Sequence, residues 1–319
     1  MGDSPGVLPF SRLYGLESRW RFARAALMNA LRRDRRCRAY CIGLPKSGTH
    51  SVAGLFEASL RVAHEPLPDP LILNMPLAEA AAPLVQRRLL RLLAYRDRVL
   101  SLDIESSHLL GPFWPLLAAR FADAKFIVPV RHPEDWLRSM TGDEIKVRSY
   151  ERYALWRRAL DFYFPGEPAH PPEEAPLREA GIASIASHLG YWHRFHSNLL
   201  ETLAGGSVPR EKVFILRTTD LRLAAADLAR FLGVDPGQLM LDSSHLYRGQ
   251  DTENPLDRVP GDHVKRLIAR HCATLWTAIE SSYGYREGES TATRRSRIGS
   301  HYQGTGVPSS AARRDFSSE

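Results

Sequence analysis

Lys46 stands in a run of small and polar residues, Gly43-Leu44-Pro45-Lys46-Ser47-Gly48-Thr49-His50-Ser51, where the chain's clearest chemistry is concentrated. An apolar stretch, 39–42, precedes the run, and a helical pattern from Val52 to Leu60 follows it. Strand, small-residue turn and helix in that order aim backbone N–H groups and the positive end of a helix at an anion. A Walker A loop places Lys directly after its last Gly, then Ser or Thr for a magnesium ion. Here Thr49 follows Gly48, and Lys46 lies two positions before that Gly. The run is therefore expected to grip a phosphate-like anion, and it is poorly spelled for a nucleoside triphosphate with its metal.

A second anion grip is expected downstream. The apolar stretch 125–130 runs into Arg131-His132-Pro133, with a helix predicted from Glu134 and Pro133 in its first turn. Arg131 would end the strand and present a planar fork suited to phosphate oxygens, and Ser139, two turns into the helix, adds a hydroxyl. Three ionisable side chains near the first helix and the stretch 103–108 are candidate proton acceptors: Glu65, Glu105 and His108.

The elements that must position these groups follow from periodicity. Strands are expected at 39–42, 99–103, 125–130 and 212–217, with helices at 84–95, 114–121 and 183–203. Alternating strands and helices predict a parallel sheet with helices on both faces. Ligands in such sheets lie beyond the carboxyl ends of the strands, so the loops starting at Gly43, Ile104, Arg131 and Thr218 are expected on one rim. Residues 1–37 form a basic arm in which Trp20, Phe22, Ala26, Leu27 and Leu31 could line one side of a helix packed on the body. Residues 141–182 combine Tyr150, Tyr153, Trp156, Phe162, Tyr163 and Phe164 with a Pro-rich loop, the pattern of a lid, a substrate wall or a solvated loop. Within it, the helical spacing of Tyr153, Trp156 and Leu160 favours core packing. The tail 286–319, rich in Ser, Thr, Gly and Arg, is expected to be disordered.

With 319 residues, 44% of them hydrophobic, the chain can bury a large core. Its net charge of +7 invites a nucleic-acid reading, but much of the excess is Arg near the two ends, and the motifs of nucleic-acid modules are missing. Three Cys without zinc spacing argue against a disulfide framework or a structural metal. No stretch has the length and apolarity of a membrane span, and the amino terminus lacks a signal-peptide pattern, so a cytoplasmic location is expected.

Taken in order, Pro45-Lys46-Ser47-Gly48-Thr49, then Arg131-His132-Pro133 with Ser139, then the late strand 213–217 followed by Phe231-Leu232-Gly233, resemble the sulfotransferases that use 3′-phosphoadenosine 5′-phosphosulfate (PAPS). The resemblance covers residues 38–285 and implies a P-loop-like three-layer α/β fold. It implies that residues 45–51 hold the 5′-phosphosulfate, that Arg131 and Ser139 hold the 3′-phosphate, and that Thr218 lies near the base. Lys46 would stabilise the leaving bridging oxygen. The base would be Glu65, as in Golgi-type members, or His108, as in cytosolic members, with Glu105 a third candidate. No metal is implied. The product would be adenosine 3′,5′-bisphosphate, and the acceptor a hydroxyl or amine of a carbohydrate or small metabolite. The sequence departs from the family at His50, His132 and Thr218-Thr219. Two rivals stand beside this reading. A small-molecule kinase would need Asp103 at a strand end for magnesium, and a nucleic-acid-binding module would use the basic termini.

Overall fold

The computed structural model of the chain describes residues 35–80, 82–150, 153–166, 169–240 and 253–283. The expected helix of the arm and the tail 286–319 lie outside the described residues. Five strands, β1 (Ala39–Cys41), β2 (Val62–His64), β3 (Ile104–Ser106), β4 (Lys125–Val130) and β5 (Val213–Arg217), pair in the order β2-β3-β1-β4-β5. Every pairing is parallel. The central strands are buried on both faces, as a parallel sheet between two helical layers requires.

Two layers of helix cover the sheet. On one face lie α1 (Thr49–Phe56), against β2 and β3, and α9 (Leu221–Leu232), against β5. Phe214 of β5 and Phe231 of α9 meet there, ring centroids 5.4 Å apart. The other face carries the larger core, where Tyr40, Phe126, Val128 and Ile215 pack with residues of α3 (Pro83–Leu100), α4 (Trp114–Arg120), α5 (Pro133–Ser149) and α8 (Ile185–Ala204). α10 (Gly261–Glu280) lies along α8. The short helix α2 (Asp69–Asn74) follows β2. Strand order, parallel pairing and the glycine loop after β1 make this a P-loop-like three-layer α/β fold.

Two expectations change. The stretch 99–103 is no strand: α3 runs on to Leu100, and Ser101, at φ 45°, ends it in the left-handed region. The apolar run Val99-Leu100 is the last helical turn, and the strand begins at Ile104. Asp103 therefore lies before β3, at the amino rim. There it accepts from the backbone N–H of Arg36 (2.7 Å) and of Arg61 (2.9 Å), a structural task far from any magnesium position. Glu105 lies inside β3 rather than on a loop.

The stretch 141–182 begins as the end of α5, continues as α6 (Ala154–Tyr163), and later forms α7 (Ala175–Glu179). Two buried carboxylates fasten it. Glu144 accepts from Arg148 Nε (2.7 Å) and from the Ala183 N–H (3.2 Å), and His188 Nε2 lies 3.0 Å from its second oxygen, close but not aligned for a hydrogen bond. Burial pushes the Glu144 carboxyl up, and His188 and Arg148 outweigh that and hold it below its ordinary value. Glu174 accepts from the Ile185 N–H (2.9 Å) and meets His263 Nε2 at 3.0 Å. Removing one member of a buried pair strands the other without a partner. Glu144→Ala is therefore expected to destabilise the protein by about 3–5 kcal/mol in urea unfolding at neutral pH. A loss below about 1 kcal/mol would mean that the carboxylate does not fasten this segment.

Candidate active site

Parallel pairing sets the strand ends side by side, so the residues just past them share the carboxyl rim. In the order of the sheet these are Glu65 after β2, Ser107 and His108 after β3, the loop 43–48 after β1, Arg131 after β4 and Thr218 after β5. Neighbouring strands are about 4.8 Å apart, which brings side chains distant in sequence within reach of one another.

The loop 43–48 is held by its carbonyls. Leu44 O accepts from the Ser47 N–H (3.1 Å) and the Ser47 hydroxyl (2.7 Å). Pro45 O accepts from Trp136 Nε1 (2.7 Å), and Lys46 O from Arg131 (3.3 Å). Ser47 O accepts from the Thr218 hydroxyl, which also lies 3.1 Å from Val130 O. Gly48 adopts φ 101°, and a Cβ there would stand 2.5 Å from Thr218 Cγ2, so only glycine fits. No side chain caps α1, and the amides at its start have no acceptor within the helix. With the loop carbonyls bonded, the amides at the start of α1 are left at the carboxyl rim, an arrangement that suits an anion.

Arg131 adds charge to that site. It is half-buried, burial pulls its pKa down against the opposing effect of Asp135, and it has no carboxylate in ion-pair contact among the described residues. The hydroxyl of Ser139, half-buried on α5, makes no hydrogen bond to a described residue. Lys46 sits at φ 62°, and its Nζ lies 3.2 Å from Asp143, one turn beyond Ser139 on α5. Sequence reasoning missed Asp143; its i+4 spacing from Ser139 was the available signal.

Two of the three candidate bases meet. Glu65 Oε1 is 2.6 Å from His108 Nδ1 and 3.6 Å from His64 Nε2. Burial pushes the Glu65 carboxyl up, but His108, His64 and His50 together bring it below its ordinary value, so it is ionised at neutral pH. An ionised carboxylate accepts the Nδ1 proton of His108 and leaves Nε2 to take up another. The His108 ring lies among aromatic side chains, Trp156 at 5.8 Å and Tyr163 at 6.0 Å between centroids. Tyr163 stacks on Tyr191 at 4.6 Å, so this part of α6 serves the core and the rim together. Glu105 goes elsewhere: it points to the opposite face from Ser106 and accepts from Arg96 Nε (2.8 Å) and Nη2 (2.6 Å) in the buried interior.

His64 is the other residue missed, although it adjoins Glu65 in sequence. Its Nε2 lies 3.2 Å from Thr49 Oγ1, its ring meets His50 edge-on at 4.7 Å, and Ser106 donates to Thr49 O at 2.6 Å. A chain of contacts thus runs from the start of α1 through His64 and Glu65 to His108. His132, the other departure, accepts the Glu134 N–H through Nδ1 (3.4 Å) and packs edge-on against Trp276 at 5.0 Å. It starts α5 and does not face the anion site through a hydrogen bond to the loop. Among the described residues no helix is long and apolar enough to cross a membrane.

No protein-family model matches the sequence, and neither does any curated protein. Among solved structures the chain is similar to a sulfotransferase from Alicyclobacillus acidocaldarius, at 16% identity over 76% of this chain and 98% of that one, TM-score 0.39. It is also similar to the sulfotransferase domain of the Synechococcus PCC 7002 olefin synthase, at 14% identity over 87% of this chain and 98% of that one, TM-score 0.33. Mouse sulfotransferase SULT7A1, complexed with PAP, matches at 14% identity over 91% of this chain and 96% of that one, TM-score 0.33. At such identities and scores these likenesses do not bear on individual site residues, whose roles rest on the geometry above.

Burial lowers the His64 pKa to about 4, against the raising effect of Glu65, so its ring is neutral at pH 7. An unfolded His takes up its proton near 6.5, before the folded one does. The stability this group contributes is therefore full above about pH 6.5 and lost as pH falls toward about 4. Urea midpoints are expected to drop across that window, and His64→Gln to flatten the drop. An unchanged pH slope in the variant would remove His64 as a source of acid sensitivity.

Proposed function

We propose that the protein is a PAPS-dependent sulfotransferase acting on a hydroxyl or amine of a carbohydrate or small metabolite. The observation that carries this reading is the pair of anion grips on one rim, with the Glu65–His108 pair beside the first of them. The helix-start amides and the hydroxyls of Thr49 and Ser51, with Lys46, suit a 5′-phosphosulfate. Arg131, half-buried and without a carboxylate partner among the described residues, suits a second phosphate, with Ser139 a further donor from α5. The residues therefore fit PAPS, which would supply the sulfuryl group. Thr218 spends its hydroxyl proton on the backbone of the loop, so its task toward a nucleotide is to hold that loop.

Lys46 offers its ammonium to negative charge developing on the leaving phosphate, and Asp143 holds that ammonium at the rim until it is needed. His108 accepts the proton of the attacking hydroxyl through Nε2, while Glu65 fixes its ring and stabilises the imidazolium that results. Glu65 and His108 thus act as one unit, and the question of which is the base becomes a question of which end of the pair faces the acceptor. Trp156, half-buried beside His108 and backed by the buried Tyr163, presents apolar surface that would exclude water and support the face of an acceptor ring. The kinase reading loses its one supporting residue, because Asp103 is fastened at the amino rim.

Calorimetric titration is expected to give tight, metal-independent binding of adenosine 3′,5′-bisphosphate and weaker binding of ATP with magnesium. Preference for ATP with magnesium would overturn the proposal. With labelled PAPS and a cell extract as the source of acceptors, His108→Ala is expected to lower product formation by about 10²–10⁴-fold. Its affinity for the bisphosphate should stay near that of the unaltered protein. Glu65→Gln should cost less, since the ring keeps a hydrogen-bonding neighbour. Near-normal turnover in His108→Ala, with loss in Glu65→Gln, would transfer the base to Glu65.

A further inference from the structure

The turn that carries Glu65 out of β2 is strained. Glu65 and Leu67, on either side of Pro66, adopt φ 49° and 50°, the left-handed region that residues with a Cβ seldom occupy. Such conformations persist only where the surroundings over-determine them. Apolar packing does not supply that hold, because every residue from 61 to 69 is only half-buried. Hydrogen bonds supply it instead. The Glu65 N–H donates to Ser106 O on the neighbouring strand (2.9 Å). Pro66 has no N–H to donate, and its carbonyl accepts from Arg96 Nη2. Leu67 O accepts from Arg96 Nη1 at 2.6 Å.

Arg96 reaches this turn from α3 and is itself only 1% exposed. Its Nε and Nη2 both donate to Glu105 Oε1, at 2.8 and 2.6 Å. One guanidinium thus joins a carboxylate inside β3 to two successive carbonyls of the strained turn. A planar fork of five N–H donors can do this, whereas an ammonium, whose three donors leave from one atom, cannot match the geometry. An ion pair that only tied α3 to β3 would not need those further donations. The path from the turn to the candidate site is short. Across β2 and β3, Ala63 pairs with Glu105 and His64 with Ser106, so the chain leaves both strands side by side. Glu65 Oε1 then comes to 2.6 Å from His108 Nδ1. If the turn relaxed and Glu65 rotated out of positive φ, its Cβ would swing and carry the carboxylate off that nitrogen.

We propose that Arg96, aligned by Glu105, is a positioning residue that holds Glu65 against His108 by clamping the carbonyls of Pro66 and Leu67. Its part in turnover rests on the reading of Glu65 and His108 as the proton-accepting pair; its part in the geometry does not. Glu105, although turned away from the rim, then serves the same chemistry at one remove.

The test reads the tautomer of His108 by NMR in the full chain with isotope-labelled histidine, under conditions where the ring is neutral, with H108Q assigning its signals. A carboxylate on Nδ1 fixes the Nδ1–H form, whereas a ring free in water prefers Nε2–H. The unaltered protein should show Nδ1–H, and E65A a shift to Nε2–H. R96K keeps a charge beside Glu105 without the fork. R96M/E105Q removes both charges, so that neither is left buried without its partner. Both variants should shift the tautomer as E65A does. With labelled PAPS and a cell extract, both should also lower turnover by about 10²-fold, the effect of a reacting group slightly misplaced. Their affinity for adenosine 3′,5′-bisphosphate should be unchanged. Thermal unfolding reports the fold of each variant, and the double variant serves where R96K is unstable. Retention of Nδ1–H in a folded Arg96 variant would overturn the proposal, since a pair that only ties α3 to β3 leaves the ring as it was. Nε2–H in the unaltered protein would overturn it as well. A shifted tautomer in variants of a protein that neither binds the bisphosphate nor transfers sulfate would uphold the positioning and remove the transfer reaction instead.

Discussion

The inward fastening of four successive carbonyls, Leu44 to Ser47, is the constraint on which the candidate site depends. A backbone turn has donors on one side and acceptors on the other, and an anion site requires that only donors face it. Here the acceptors are taken by Ser47 itself, Trp136, Arg131 and Thr218, from α5 and the ends of β4 and β5. The sheet order supplies this arrangement, because β4 and β5 are the strands that flank β1 on that side. Gly48 completes it: its left-handed φ turns the chain into α1, and the lack of a Cβ admits Thr218. Any side chain there would push away the residue that holds the Ser47 carbonyl.

On the other side of β1 the strands β3 and β2 bring a different chemistry. His64 and Ser106 are paired in register, so Thr49 is approached by both, and Glu65 follows directly toward His108. Burial keeps the His64 ring neutral, and the histidine neighbours keep Glu65 ionised, although burial alone would push it the other way. The start of α1 and the Glu65–His108 pair are therefore linked, since Thr49 and Glu65 share His64 as a neighbour. Asp143, which pairs with Lys46, sits on the helix that also carries Ser139.

The two rims of the sheet have different tasks. At the amino rim, Asp97 and Asp103 fasten the chain entering β1 and the turns before β2 and β3. The carboxyl rim carries the loop 43–48, Arg131 and the Glu65–His108 pair. The aromatic segment after α5 connects the interior with this second rim, because Tyr163 stacks on Tyr191 in the core while its ring also borders His108. Glu144 and Glu174 hold the far end of that segment against α8 and α10, so the wall beside His108 stands on a fastened base.

Much of the fold was legible in local pattern. The apolar run 125–130, followed by Pro133, fixed both the end of β4 and the start of α5, since proline is tolerated in a first helical turn. The glycine loop was legible because a tight turn before a helix needs small residues. The strand β2 escaped notice, being three half-buried residues at a sheet edge, and 99–103 misled because the last apolar turn of a helix looks like a strand until Ser101 ends it. Sequence by itself determined the parallel α/β architecture, the anion loop, and Glu65, Glu105 and His108 as candidates. Only the tertiary structure sent Glu105 inward to Arg96, joined Glu65 to His108, and introduced His64 and Asp143. Those outcomes depend on strand order and on which face of a strand a residue occupies, and both are set by packing between segments far apart in the chain.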